Sequence, residues 1–157
     1  MFSPSRDQAR EFWFAAWAKF QAQAQLTALE KLAVEIAVRH PEYHAMLART
    51  DANVARDFPV ETGVTNPYLH LSMHMAIAEQ ISIDQPRGIT AIYATLCAQH
   101  GDEHAAQHEI MECLAEMIWH AQRHKTAPNP AILFACLAKK TANETGNEIE
   151  NTAGQTQ

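Results

Sequence analysis

Four residues carry the chemistry this sequence offers: His70, His74, His108 and Glu112. His70 and His74 stand four positions apart in NPYLHLSMHMAIAEQI, residues 66–81. On a helix they point about 40° apart. His108 and Glu112 repeat the spacing, as H-x-x-x-E, within GDEHAAQHEIMECLAEMIW, residues 101–119. Imidazoles and carboxylates projecting from facing helices are how helical bundles hold metal ions. The mixed nitrogen and oxygen set suits a divalent ion, iron, zinc or manganese. With ligands from two helices only, one or two positions stay open for water, dioxygen or a substrate. An ion so held would activate water or bind dioxygen. Glu116 or His104 would then be the general base. The set fits hydrolysis, redox chemistry, and simple storage or sensing alike, so no catalytic residue is assigned. His104, Glu116, Glu79, Glu42 and His44 are reserve ligands or hydrogen-bond partners, although Glu79 projects nearly opposite His70.

A different class of function competes with the metal centre. Here the histidines are core residues satisfied by one another, by Glu112 and by carbonyl groups, because a buried imidazole nitrogen needs a hydrogen-bond partner. The protein is then a metal-free interaction or oligomerising module. Its aromatic first helix, with Phe12, Trp13, Phe14, Trp17 and Phe20, meets a partner or a second subunit. A third and weaker possibility is pH sensing, since clustered histidines titrate near neutrality.

The elements that position these residues are helices. Asn66 is a good N-cap and Pro67 a good first helical residue for the histidine helix, 66–81. Leu69, Met73 and Ala76 cover a second side of that helix, and Leu71, Met75 and Ala78 a third. A helix apolar nearly all round is a buried one. Ser5 with Gln8, and Thr27 with Glu30, open the first two helices as capping boxes. His40-Pro41 ends the second, because the residue before proline disfavours helix. Pro41 starts a short third helix to about Ala48. Thr50 to Thr65 reads as the longest loop. Pro86 starts the next helix, capped by Asp84 or Gln85, and Gly101 closes it in the left-handed conformation. Asp102 caps the long helix that runs to about Lys125, and Asn129-Pro130 opens the last. In the long helix Ile110, Met111, Leu114, Met117 and Ile118 define the core stripe, so Glu116, His120 and His124 face solvent. No segment alternates at period two. The expected fold is all-α, a bundle of about four main helices with short accessory ones.

The 157 residues fit one helical domain, 1–140, followed by a polar tail, 141–157, expected to be disordered. The net charge of -6 and the lack of a basic stripe argue against nucleic acid as a partner. No apolar run approaches a membrane helix, and the N-terminus lacks a signal peptide's pattern. No nucleotide-binding glycine pattern is present, so no nucleotide cofactor is expected. Cys97, Cys113 and Cys136 fall in apolar helical patterns and read as small core residues. Their odd number favours a reducing compartment, and the chain reads as cytoplasmic. A small-molecule ligand, if there is one, is not specified by any motif.

The segments HPEYH (40–44), NPYLHLSMHMAIAEQ (66–80), SIDQPRGI (82–89) and GDEHAAQHEIMECLAEMIW together resemble an uncharacterised proteobacterial family, the domain-of-unknown-function family eighteen-forty-one. The resemblance covers about Met1 to Ala138. It implies a bacterial, cytosolic, helical protein and brings no activity with it. The matching positions include Asn66, Pro67, His70, His74, Glu79, Gln80, Asp84, Gln85, Pro86, Gly88, His108, Glu112 and Glu116. A looser likeness to hemerythrin-like and DinB-like metal-binding bundles rests on helix count and histidine spacing, which is analogy at the level of fold.

Overall fold

A computed structural model describes residues 5–142. Among them every regular element is helical. The order is α1 (Arg6–Gln21), α2 (Ala28–Val38), a 3-10 turn (Pro41–Met46), α3 (Asp51–Ala55), a second 3-10 turn (Val60–Thr62), α4 (Pro67–Ile83), α5 (Ile89–His100), α6 (Glu103–His124) and α7 (Pro130–Ala142). The all-α expectation holds. Of the polar tail, Thr141 and Ala142 end α7, and the remainder lies outside the described residues. The chain divides into two compact units, one ending at Ala76 and the other beginning at Ile77.

The first unit starts with two capping boxes. Ser5 Oγ accepts from the Gln8 amide while Gln8 Oε1 accepts from the Ser5 amide, and Thr27 and Glu30 do the same for α2. Each box satisfies donors that the first helical turn leaves unpaired. The aromatic load of α1 is spent inside this unit. Trp13, Phe14 and Trp17 are buried with Ala33, Ile36, Ala37, Leu47, Tyr68 and Leu71 in one core. Trp13 donates through its indole N–H to Ser72 Oγ at 3.0 Å, and the Tyr68 hydroxyl donates to the Met46 carbonyl at 2.7 Å. These bonds meet the need of a buried indole or phenol for a polar partner. Phe20, 40 % exposed, is the aromatic of α1 left at the surface.

Two expectations need correction here. Thr50 to Thr65 is not one long loop. Thr50 Oγ1 accepts from the Asn53 amide and caps α3, and the Asn53 side-chain amide donates to the Ala45 and Ala48 carbonyls. A short helix is thereby pinned to the 3-10 turn before it. Nor is α4 buried all round. Leu71, His74 and Ile77 are fully buried, but Leu69 is 59 % exposed.

In the second unit α5, α6 and α7 pack on one another. Ile89, Leu96, Ile110, Leu133 and Leu137 are almost wholly buried. The long helix matches its expected face at Ile110, Met111, Leu114 and Met117, but Ile118 is exposed, as is Trp119, over which the Arg123 guanidinium lies at 5.1 Å. Glu116 and His124 are exposed as expected, whereas His120 is half-buried. The cysteine reading is also corrected. Cys113 and Cys136 form a disulfide between α6 and α7, and Cys97 alone is free. With two of three thiols paired, an odd cysteine count no longer argues for a reducing compartment. Among the described residues no helix is long and apolar enough to cross a membrane.

The entry to α5 also differs from expectation. Gly88, at φ +102°, is the cap residue, a backbone conformation that glycine adopts at no steric cost. Asp84 serves the helix from further back, with Oδ1 accepting from the Gly88 amide at 3.0 Å and the Thr90 amide at 3.1 Å. The Thr90 amide, and after it that of Gly88, hold the Asp84 carboxyl below its ordinary range, outweighing the upward push of burial. A depressed folded-state pKa stabilises above the unfolded value, about 3.9, and that stability is lost as pH falls through the folded pKa. Asp84→Ala is therefore expected to lower the thermal midpoint at pH 7. The gap from wild type should close as melts are repeated toward pH 2.5. A gap that does not change with pH would mean that the carboxylate charge is irrelevant to this cap.

Candidate metal centre

The first unit brings three imidazoles together. His70 and His74 come from α4, as their spacing predicts. The third is His40, the residue after the C-cap of α2, which sequence reasoning passed over. The ring centres of His40 lie 4.9 Å from those of both His70 and His74, and those two are 5.0 Å apart. His40 is 2 % exposed and His74 is fully buried, while His70 is half-buried. A signal for His40 exists in the sequence. It lies four positions beyond Ile36 and three beyond Ala37, so it prolongs the buried stripe of α2 by one turn.

The hydrogen bonds of His40 fix its tautomer. Nδ1 is 2.9 Å from the Ile36 carbonyl oxygen, which can only accept, so Nδ1 carries the proton. In the neutral ring Nε2 is then a lone-pair nitrogen. It lies 3.1 Å from Nε2 of His70, which must donate to it. An imidazole with one nitrogen donating to a backbone carbonyl and the other offering a lone pair is in the state a metal ligand requires. The Tyr43 ring lies parallel to His40 at 5.5 Å and edge-on to His70 at 5.8 Å, and burial raises its phenol pKa. His44 is used differently. Its Nε2 donates to the Ala37 carbonyl at 2.8 Å, and its ring lies 4.4 Å from Trp17, so it is anchored to the aromatic core.

In the second unit His104 and His108 occupy successive turns of α6, with ring centres 4.4 Å apart. Asp102 caps this helix through the His104 and Ala105 amides and fixes where the first histidine leaves the backbone. Both rings are half-buried. The expected partner of His108, Glu112, is turned to another task. Its carboxylate is 73 % exposed and 2.6 Å from Lys140 Nζ of α7. Lys140 also pairs with Glu109, which lies 3.5 Å from His100. Burial pulls the Lys140 pKa down, but its bonds to Glu109 and Glu112 outweigh that and raise it. These groups tie α6 to α7 and α5. Glu79 and Glu116 are exposed. Of the residues named from sequence, His70 and His74 stand together with an unforeseen third imidazole. His108 stands with His104, and Glu112 is held on Lys140.

Residues 5–139 match the family model of a domain of unknown function, DUF1841. No curated protein matches the chain, and no solved structure does. The likeness to hemerythrin-like bundles thus remains one of helix count and histidine spacing.

Proposed function

The chain belongs to the DUF1841 family, and we propose that it binds a divalent metal ion through His40, His70 and His74, the three imidazoles that the first unit brings together. This set keeps His70 and His74 of the sequence-derived ligands and adds His40. The observation that carries the reading is the state of His40: buried, its protonated nitrogen on Ile36 and its lone-pair nitrogen directed into the imidazole cluster. An all-imidazole set suits zinc, copper, iron or nickel better than magnesium or calcium. A bound ion would take the place of the hydrogen bond between the His40 and His70 rings, and His70 lies in the wall of an open cleft of the first unit. A metal held by protein nitrogens with a position left open would supply an acidified water or a dioxygen site there.

Elemental analysis of protein purified without chelator tests this. Near-stoichiometric zinc, iron or another transition metal is expected in the wild type. It should be lost from both His40→Ala and His70→Ala. Wild-type protein that stays free of metal after reconstitution would overturn the reading.

One observation favours a second reading. Both ring nitrogens of His40 are hydrogen-bonded without any ion, so the cluster is also compatible with a metal-free core network in an interaction protein. In that case the exposed Ile118 and Trp119 of α6 are the surface for a second copy of the chain, and Trp119→Ser should change the sedimentation coefficient.

A further inference from the structure

Arg10 of α1 is a buried cation, 3 % exposed. Among the described residues no carboxylate pairs with it. Its Nη1 donates to the Asn53 and Val54 carbonyls at 3.2 and 3.0 Å, and its guanidinium centre lies 4.7 Å from the Tyr68 ring and 5.8 Å from that of Phe58. Its Nε is buried and has no hydrogen-bond partner. Arg6, one turn earlier, differs, since its charge is met by Asp57 at 2.5 Å. Carbonyl dipoles and aromatic faces attract a guanidinium, but they do not neutralise it, and a buried charge is costly unless a counter-charge meets it.

Arg10 and Phe58 line a cleft of about 330 Å³. Phe58 and Asn66 are shared with a second cleft of about 340 Å³, whose further walls include Val64, Leu69, Met73 and His70. All of these residues belong to the first unit. One end of this surface thus carries an uncompensated positive charge, and the other is mainly apolar. Its volume falls in the range of small-molecule sites. The 59 % exposure of Leu69, an oddity in an apolar helix, is explained if a ligand covers it.

We infer that the two clefts act as one binding site for a small monocarboxylic acid with an apolar body. The carboxylate pairs with the Arg10 guanidinium, and the body lies over Phe58 against Val64, Leu69 and Met73. The site does not depend on the metal reading and is tested without metal.

The probes are octanoate and 1-octanol, titrated by calorimetry into the chelator-treated full chain. Octanoate should bind saturably and at least about tenfold more tightly than the alcohol, as expected when a charge-assisted bond is gained. Arg10→Met should abolish that preference. Because Arg10 is buried and this variant can fail to fold, Leu69→Asp at the exposed rim is the second variant. It should keep wild-type helicity and weaken octanoate at least about tenfold through repulsion and lost apolar contact. Equal binding of acid and alcohol, unchanged octanoate binding by folded Leu69→Asp, or no saturable binding at millimolar probe would each overturn the inference.

Discussion

His40→Ala is expected to destabilise the chain by about 3 kcal/mol without metal, the sum of a buried-cavity cost and lost hydrogen bonding. With the free ion at about a hundred times its dissociation constant, the gap from wild type should widen by a further ~2.7 kcal/mol, because a ligand that binds only the native state adds that much stability. The first part follows from burial. The ring is 2 % exposed, and its removal deprives Ile36 O of one donor and His70 of one acceptor. The second part follows only if His40 is a ligand. His70→Ala separates the two, since His70 is half-buried on α4. Its metal-free penalty should be smaller, while its metal-dependent increment should match that of His40→Ala. Urea titrations of the three proteins in chelator and in zinc measure both quantities. An increment near zero for both variants would leave the imidazoles as a structural network and remove the case for a metal centre.

His40 and Glu112 show where sequence reasoning reached and where it stopped. Helix starts were legible because a cap and its amide lie within about three residues of each other. Ser5, Thr27, Asp102 and Asn129 all accept from the first turn as their spacing predicts. Asp84 reaches six residues forward to Thr90 across a turn, and no capping pattern encodes that distance. His40 was hidden by Pro41. The proline correctly ends α2, yet the imidazole one position earlier still lies on the buried stripe. Glu112 failed for the opposite reason. Its spacing from His108 is right for a ligand pair, but Lys140, 28 residues away, holds its carboxylate. Local periodicity says which residues share a face. It does not say which long-range partner will take a charge once helices pack.

The cysteines carry the same lesson and a large prediction. Cys113 sits in the core stripe of α6 and Cys136 in that of α7, so each alone reads as a small apolar residue. Their pairing depends on α6 and α7 packing side by side, which the sequence separation of 23 does not reveal. Closing a loop of that length restricts the unfolded chain, and the chain-entropy relation puts the gain at about 3 kcal/mol. Reduction, or Cys136→Ser, is therefore expected to lower unfolding stability by about 3 kcal/mol. Cys97→Ser, which breaks no bridge, should have little effect. The loss should fall mainly on α7. Besides the disulfide, α7 is held by Lys140 on Glu109 and Glu112 and by the Gln99 side-chain amide on the Thr141 carbonyl. Lys140 still pairs after reduction, but partly exposed ion pairs contribute about 1 kcal/mol or less and cannot replace a covalent link. Hydrogen exchange should accordingly quicken across residues 130–142 in the reduced protein before it does so in α1 or α2. An unchanged denaturation midpoint and unchanged exchange in α7 after full reduction would show that the disulfide contributes nothing to the second unit. α6 and α7 would then be held by their apolar contacts and the Lys140 network alone.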